Sequence, residues 1–361
     1  MKNPKLKYYS LLLLFLAAAV AGLFLLAKEE PHPSRDLMME AAKLHERVTD
    51  AVRKERLARG FELIPEDHLA LGLMGAESTA ITTSLGNPEA KRTAQLPDFA
   101  ALMVKLFQQA GLKAGDRIGA SFSASFPGLD LAVLCAAKVM GLEVVYSASV
   151  GSSNYGANLP GYVLPEMIET AVAAGLLDTR PFSVTLGGDG DRGENMLGYL
   201  LEETEEIDAV LTRLSAAGIY VESYDDYETD VKDHMARMGE IKLFVNAGGG
   251  ILGMGDSDAL LSYGQGLLRE ADPQIGPKSG LVDRYLSQGI PVIHLLNIKQ
   301  LCAEQGILYD PVSLPEIGTA PLYFTRQYPG WLLIGTILFA CLGVAFIEWK
   351  NRNRTDGRKS N

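Results

Sequence analysis

Three closely spaced serines follow an apolar run and have the chemistry of nucleophiles. Ser121, Ser123 and Ser125 occupy a predicted strand-to-helix turn, where an α/β hydrolase places its nucleophilic serine. The G-x-S-x-G pattern of those enzymes does not occur around Ser123. His294 is the candidate general base, although a single histidine inside an apolar strand is usually structural. These four residues are the candidate catalytic groups of a serine hydrolase.

A basic pair, Lys91-Arg92, stands out from the acidity of the surrounding chain. Two neighbouring cations can hold a carboxylate, and arginine offers it two parallel donors. The alternative is a solvated pair that forms ion pairs with nearby acids. A stretch rich in hydroxyls, including Thr82 and Thr83, precedes the pair. The first interpretation predicts a site for an anionic ligand.

Glycine-rich turns follow three of the predicted strands, at 151–158, 187–194 and 246–250. Clustered glycines let backbone N–H groups approach an anion closely, or they only form tight turns. The run at 248–255 lacks the lysine of a P-loop and the spacing of a dinucleotide site. The candidate ligand-binding residues of the whole chain are Thr82, Thr83, Lys91, Arg92, Ser152, Ser153, Asn154, Asp189, Asp191, Asn246, Gly248, Gly249 and Gly250.

The sequence predicts no metal site and no cofactor. Asp189, Asp191 and Glu194 resemble part of a calcium loop, but such a loop needs more oxygen ligands, so turn chemistry is the better interpretation. No zinc-binding pattern of cysteines occurs. Cys135 and Cys302 lie in apolar helical contexts and are interpreted as two buried thiols, with a disulfide between them as the alternative.

The elements that must position these residues alternate between short apolar strands and helices. Glycines at the helix ends and short apolar strands are typical of α/β proteins with a mostly parallel, doubly wound sheet. Ligands of such sheets bind beyond the carboxyl ends of the strands, where the polar turns fall. Strands are predicted at 117–121, 143–147, 182–186, 219–222, 241–246 and 290–295, and helices at 36–59, 99–110, 129–140, 166–174, 196–217, 226–238 and 278–288. Residues 61–95 are expected to be irregular.

Apolar segments at 8–27 and 331–347 have the length and composition of membrane-spanning helices. Lysines and arginines flank both on their outer sides, and basic flanks stay on the cytoplasmic side. Both termini are therefore expected in the cytoplasm, with the residues between the spans outside. The first segment has a cleaved signal peptide as its alternative, although its apolar run is long for one. The second has a wall-sorting signal as its alternative, because 314–319 resembles an LPxTG motif without its threonine.

Charge supports the same division of the chain. The net charge is −11, and the part between the basic ends has 25 basic and 42 acidic residues, a net charge of −17. An acidic surface argues against a nucleic-acid partner, which needs a basic stripe. The predicted organisation is a transmembrane anchor at 1–27, an amphipathic helical linker at 28–60, an extracytoplasmic α/β domain at 61–326, a transmembrane helix at 327–349 and a basic cytoplasmic tail at 350–361.

Five motifs, in order along residues 36–310, resemble the poly-gamma-glutamate system protein family. They are Ile81–Gly86 with Lys91–Thr93, Ser123–Pro127, Gly151–Asn158, Gly187–Asp191 and Asn246–Gly250. The resemblance implies a bacterial cell-membrane protein that accompanies the synthesis and export of an anionic capsule polymer. Its implied partners are the membrane subunits of the synthase and export machinery, the poly-gamma-glutamate chain and the lipid bilayer. No catalytic residue is implied.

Three functions are compatible with these features. The first is an accessory protein whose outer domain binds the polymer or partner subunits. The second is an extracytoplasmic hydrolase or transferase that acts on gamma-glutamyl bonds through the serine-rich turn. The third is a scaffold whose two spans pack with the synthase and whose outer domain binds proteins. Whether the protein is an enzyme stays open at the level of sequence.

Overall fold

The computed structural model describes residues 4–255, 263–269 and 275–356. The chain divides into two compact units. One is Pro33–Tyr323, and the other combines the segments on either side of it.

Thirteen α-helices lie in the described residues. They are α1 (Pro4–Leu25), α2 (Arg35–Ala58), α3 (Pro88–Ala94), α4 (Asp98–Gln109), α5 (Pro127–Met140), α6 (Leu164–Ala173), α7 (Leu197–Leu200), α8 (Glu205–Ala216), α9 (Tyr227–Met238), α10 (Ile251–Met254), α11 (Leu281–Ser287), α12 (Ile298–Gln305) and α13 (Gly330–Asp356).

The same residues contain thirteen strands. They are β1 (Lys28–Pro31), β2 (Thr82–Ser84), β3 (Arg117–Phe122), β4 (Glu143–Ser149), β5 (Ser152–Ser153), β6 (Asn158–Leu159), β7 (Tyr162–Val163), β8 (Ser183–Thr185), β9 (Val221–Glu222), β10 (Leu243–Ala247), β11 (Gly266–Leu268), β12 (Val292–Leu295) and β13 (Phe324–Gln327).

A seven-stranded sheet organises the Pro33–Tyr323 unit, in the order β11-β12-β10-β3-β4-β8-β9. Every neighbouring pair is parallel except β11 and β12. The central strands are buried and apolar along most of their length, as strands covered by helices on both faces must be. The prediction of an α/β fold with a mostly parallel sheet is confirmed.

All six predicted strands form, with their ends shifted by a few residues. The antiparallel edge strand β11 was not predicted, and neither were the short helices α3 and α12. The helix predicted over 196–217 is instead two helices, because the chain turns between α7 and α8 with Glu202 at a φ of +58°. That left-handed conformation cannot continue an α-helix.

Helix α2 packs into the Pro33–Tyr323 unit. Its apolar stripe, which includes Met38, Val48 and Val52, is fully buried, and its main neighbours are α4 and α5. Near its end, the buried Arg56 donates to the carbonyl oxygens of Glu62 at 2.7 Å and Gly72 at 3.1 Å. These bonds fasten the segment after α2 to the helix. The compact unit begins at Pro33 and includes α2. The sequence instead predicted a helical linker at 28–60 and a domain that begins at 61.

The second unit consists of two long apolar helices and a short ladder. Lys7–Leu25 in α1 and Gly330–Lys350 in α13 are long and apolar enough to cross a membrane. The two helices pack against each other, with the ring centres of Phe15 and Phe339 3.9 Å apart. Strands β1 and β13 pair antiparallel and bring the two segments together beyond the helices.

Candidate functional site

A cleft opens at the carboxyl edge of the sheet, beside its topological switch point. The chain runs outward from β3 to β9 on one side and continues through β10 on the other side of β3. The connections that follow β3 and β10 therefore leave in opposite directions, and ligands of doubly wound sheets bind in the crevice that this reversal creates. The cleft has a volume of about 530 Å³ and is lined by residues that follow β3, β4, β8 and β10. This is the volume of a small-molecule site.

Hydroxyl groups dominate the polar lining of the cleft. The hydroxyl-bearing residues that line it are Thr83, Ser84, Ser121, Ser123, Ser125, Ser147, Ser149, Ser153, Thr185 and Tyr309. Two buried hydroxyls, those of Ser123 and Ser147, have no hydrogen-bond partner within the described part of the chain. Leaving a buried donor unpaired costs about 1–3 kcal/mol, so a polar atom of water or of a ligand is favoured beside each of them.

The turns after β3 and β10 meet at a point where only glycine fits. Gly248 has a φ of +90°, and a Cβ added to it would lie 2.0 Å from the Oγ of Ser123. The Ser123 N–H donates to the carbonyl oxygen of Ala247 at 3.2 Å, which holds the two turns together. The glycine after β10 therefore makes room for the serine after β3.

Helix α3 supplies the one lysine that is buried in the cleft wall. The side chain of Asn87 accepts a hydrogen bond from the Ala90 N–H at 2.8 Å, and Pro88 follows this cap at the first helical position. A side-chain cap followed by proline is a strong start signal for a helix. The helix brings Lys91 to the cleft with only 3 % of its surface exposed.

The Lys91 amine has three close neighbours. Its Nζ donates to the carbonyl oxygen of Ser125, lies 2.6 Å from the Oγ of Ser153 and stands 3.9 Å from the centre of the Phe126 ring. The ring contact favours the charged amine, as a cation–π pair does. Both serine contacts are compatible with either protonation state, because a neutral amine keeps two N–H donors and gains a lone pair.

Burial nevertheless dominates the electrostatics of Lys91. It lowers the pKa of the amine to about 7, and the carboxylate of Asp130 opposes that shift in part. Asp130 is fully buried in the first turn of α5, and burial raises its pKa well above the usual range. Taking a charge out of water disfavours the charged form of each group. Lys91 therefore changes its charge near neutral pH.

Ser153 reaches the cleft through a small two-stranded ladder. Strand β5 pairs parallel with β2, with Ser152 opposite Thr82 and Ser153 opposite Ser84. The Ser153 N–H donates to the Oγ of Ser125 at 3.2 Å. These bonds fix the Ser153 backbone against the turn after β3, and its side chain is left facing Lys91.

The turn after β8 contributes a buried carboxyl group, that of Asp191, to the cleft. Asp191 lines the cleft with 4 % of its surface exposed and has a φ of +58°. Burial, and next the neighbouring Asp230 carboxylate, raise the pKa of Asp191 well above its usual value. A neutral carboxyl at this position repels an anionic ligand less than a carboxylate would.

Many of the predicted site residues meet in the cleft, although they come from five separate segments. Those that line it are Thr83, Lys91, Ser121, Ser123, Ser125, Ser153, Asp189, Asp191, Gly249 and Gly250. The sheet topology brings together those at or after the ends of β3, β8 and β10, because the carboxyl ends of parallel strands share one edge. Thr83, Lys91 and Ser153 reach the cleft from β2, α3 and β5, which lie outside this sheet.

Arg92 does not accompany Lys91 into the cleft. Its Nε and Nη2 lie 2.8 and 3.0 Å from the two carboxylate oxygens of Asp310, and its Nη1 donates to the Glu66 carbonyl oxygen at 2.7 Å. The guanidinium is thus engaged in a two-point ion pair that ties α3 to the segment after α12. The prediction of a shared carboxylate site for Lys91 and Arg92 is corrected: only Lys91 lines the cleft.

His294 is not placed to act as a base for the serines. It is fully buried in β12 and does not line the cleft, and its Nδ1 lies 3.1 Å from the Nδ2 of Asn246. Burial lowers the pKa of His294 to about 4, so the ring is neutral. Asn246 also donates to the Gly248 carbonyl oxygen at 2.9 Å, which shapes the turn after β10. Both residues support the sheet.

The other predicted ligand-binding residues also hold loops in place. Thr82 accepts a bond from the Asn158 side chain at 2.9 Å, and Ser152 donates to the Ala124 carbonyl oxygen at 3.1 Å. Asn154 donates to the Glu77 carbonyl oxygen. Gly248 lies behind Ser123 and outside the lining of the cleft.

Several lining residues were not among the predicted site residues. They are Ser147, Ser149, Thr185, Asn195, Lys299 and Tyr309. The serines and the threonine end strands β4 and β8 at alternate positions, and this alternation is the sequence signal that could have identified them. Lys299 and Tyr309 belong to α12 and the segment after it, and no local pattern connects that region with the sheet.

The cysteines and acids show no further site. Cys135 and Cys302 are both buried and free, which agrees with the interpretation as two thiols. Among the residues that the structure describes, no group of three or more histidines, cysteines or acids is arranged to hold a metal ion.

Comparison with known proteins returns no relative. No protein-family model, no curated protein and no solved structure matches the chain. The fold and the cleft define an α/β protein with a hydroxyl-lined site at its switch point.

Proposed function

We propose that the protein is a membrane-anchored accessory component of bacterial poly-gamma-glutamate synthesis and export, and that its cleft binds the polymer. One observation carries the proposal. The five motifs that resemble the poly-gamma-glutamate system family are distant in sequence, yet each of them contributes a residue to the lining of this cleft. Motifs that meet at one ligand-sized cleft are better explained by a shared ligand than by separate turns.

The chemistry of the cleft suits a glutamyl chain. Below its pKa, Lys91 offers a buried positive charge, and the unpaired hydroxyls of Ser123 and Ser147 offer neutral donors. Carboxylates and amide carbonyls of the polymer accept from such groups. The surrounding chain is strongly acidic, so a local set of donors is needed to hold a polyanion against the general repulsion. A cleft of this volume fits a short segment or an end of the polymer.

Membrane placement is part of the same proposal. The contacts between α1 and α13 include a bond from the Lys350 Nζ to the Tyr8 hydroxyl at 3.0 Å, so Tyr8 and Lys350, which adjoin the basic flanks in sequence, lie at one end of the pair. Basic flanks favour the cytoplasmic side, which supports two cytoplasmic termini and an outer Pro33–Tyr323 unit. The outer unit would then meet the polymer as it leaves the membrane.

Substitution of Lys91 tests the binding site. We expect Lys91→Met in the full-length, detergent-solubilised protein to weaken binding of gamma-glutamate oligomers at pH 6 by about tenfold or more. A charge-assisted hydrogen bond contributes about 1.5–3 kcal/mol, and 1.4 kcal/mol is a factor of ten. Isothermal titration calorimetry measures the change.

Lys105→Met is the matched control for this experiment. Lys105 is a half-buried lysine of α4, its pKa is also lowered by burial, and its Nζ donates to Gln305 at 3.0 Å away from the cleft. The control variant should bind as the unmodified protein does. Equal affinities for the Lys91 variant and the unmodified protein would contradict the proposed site.

A further inference from the structure

We propose that Lys91 and Ser153 form a general base and nucleophile pair that cleaves or transfers gamma-glutamyl amide bonds in the cleft. The inference rests on the proposed function for its substrate class and adds a reaction to it. The proposed nucleophile is Ser153, whereas the sequence suggested a serine of the turn after β3.

The geometry of the pair carries the proposal. The Nζ of Lys91 and the Oγ of Ser153 are 2.6 Å apart, both residues line the cleft, and their exposed fractions are 3 % and 5 %. A nucleophile needs a base within hydrogen-bond reach, and serine–lysine pairs are one known form of this arrangement. The Lys91 amine is itself oriented by a second bond, to the Ser125 carbonyl oxygen. A base held in place by a third group is the general form of a catalytic triad.

Ser153 is favoured over the other serines of the cleft because it has a base. The Ser125 hydroxyl accepts from the Ser153 N–H, and the Ser123 hydroxyl has no partner within the described ranges. His294, the base expected from the sequence, lies outside the cleft lining. A hydroxyl without an adjacent base is a weak nucleophile near neutral pH.

The environment of Lys91 fits the role of a base. Burial lowers the pKa of its amine to about 7, so a large fraction of the amine is neutral at pH 7 to 8. In the neutral form the short contact reverses, and the Ser153 O–H donates to the amine lone pair. A general base works best with a pKa near the operating pH. A lysine with the usual pKa near 10.4 would be almost fully charged there and could not accept the proton.

The reaction balances without a metal or cofactor. The Ser153 Oγ attacks the gamma-carbonyl carbon of a glutamyl amide while its proton moves to the Lys91 Nζ. The C–N bond then breaks, and the leaving nitrogen takes its electron pair and that proton. The products of this half-reaction are a glutamyl ester on Ser153 and a chain with a free amine.

A second half-reaction restores the enzyme. Water attacks the ester, Lys91 accepts the proton from the water, and the C–O bond to Ser153 breaks as the proton returns to Oγ. Hydrolysis shortens the polymer, whereas attack by an amine in place of water transfers the glutamyl group.

A fluorophosphonate probe tests the pair directly. The full-length protein in detergent is incubated with the probe, and the modified peptide is identified by mass spectrometry. We expect the phosphonate on Ser153 and a labelling rate that rises with pH, with a midpoint near 7. This measurement uses the unmodified protein, so its outcome does not depend on the folding of any variant. Labelling at Ser121, Ser123 or Ser125 instead, or a rate independent of pH between 6 and 8.5, would overturn the inference.

Variants separate the base from the nucleophile. Ser153→Ala should abolish labelling, and Lys91→Met should slow it at least a hundredfold at pH 8. The controls are Ser215→Ala, at an exposed position of α8, and Lys105→Met in α4, and both should label at the rate of the unmodified protein. Thermal unfolding establishes that each variant is folded. A folded Lys91 variant that labels at the unmodified rate would show that Lys91 is not the base.

Activity and binding are then measured on the same protein. Gamma-glutamate oligomers are incubated at pH 8 and their lengths followed by liquid chromatography and mass spectrometry, while calorimetry measures affinity. Binding without labelling or cleavage would refute the pair and leave the proposed function standing. Labelling of Ser153 without affinity for the oligomers would support the pair and count against the proposed ligand.

Discussion

At the scale of single residues, the two proposed roles of Lys91, ligand binding and general base, require opposite protonation states. A carboxylate ligand is bound best by the charged amine, whereas a base must be neutral. The pKa of about 7 places the change between the two forms near neutral pH. The cleft should therefore hold its ligand more tightly in mild acid and react faster in mild base.

Binding of gamma-glutamate oligomers should strengthen as the pH falls from 8 to 6. Lys91 gains its charge as the pH falls through about 7, while carboxylates with an ordinary pKa near 4.3 stay ionised. Calorimetry at constant ionic strength should show the affinity rising by several-fold, and the Lys91→Met variant should lack this dependence. Affinity that stays constant in the unmodified protein, or rises towards pH 8, would argue against contact between the ligand and Lys91.

Arg92→Ala should affect stability and leave binding unchanged. The substitution removes the two-point pair with Asp310 and the bond to Glu66, and we expect a cost of about 2 kcal/mol. For a unit of this size that corresponds to a fall of roughly 3 °C in the thermal midpoint.

The control for Arg92 is Arg180→Ala, since Arg180 pairs with Glu169 through two bonds at the exposed surface and should contribute little. Differential scanning calorimetry measures both variants. A loss of ligand affinity in the folded Arg92 variant would restore the original assignment of this residue to the binding site.

At the scale of elements, the sheet was predictable and the placement of α3 was not. The strands are continuous apolar runs between turn residues, so their positions along the chain could be predicted from the sequence. Residues 61–95 carry no long periodic pattern, and the seven-residue α3 within them depends on the cap at Asn87 and on packing. Consecutive residues of a helix point about 100° apart, so Lys91 and Arg92 point in different directions in this helix and have different partners.

Substitution of Gly248 tests the close approach between the turn after β10 and Ser123. Gly248→Ala should destabilise the protein by several degrees and weaken oligomer binding, because its Cβ would press on the Ser123 side chain. Gly111→Ala is matched in conformation: its φ is +84° and an added Cβ meets no atom within 4 Å. Both variants bear the cost of a positive φ, but only the first adds a steric clash. Thermal unfolding and calorimetry should therefore separate them, and identical behaviour would show that the close approach is unimportant.

At the scale of the whole molecule, apolar length predicted the two terminal helices. The two terminal helices were evident because runs of some 20 apolar residues have the length and composition of a membrane-spanning helix. The boundary of the folded unit at Pro33 was not evident, because an amphipathic helix has the same pattern whether it packs on its own domain or leads into one.

The topology can be determined by labelling an engineered cysteine. Glu206→Cys, at an exposed position of α8, should react with a membrane-impermeant maleimide in intact spheroplasts. Cys341 is exposed on α13 and is replaced by alanine to remove its background, while the native Cys135 and Cys302 are buried. A cysteine engineered before α1 should react only after lysis. Protection of residue 206 until lysis would place the Pro33–Tyr323 unit in the cytoplasm.

The pairing of β1 with β13 holds the two ends of the intervening chain close together. Pro31 is paired with Phe324, so the chain leaves and re-enters the terminal unit at neighbouring points. In evolutionary terms the α/β unit is an insertion between two segments of chain that pair with each other. Insertions are tolerated where the two ends of the inserted domain lie close together. The paired terminal segments and the cleft-bearing unit can therefore diverge at different rates.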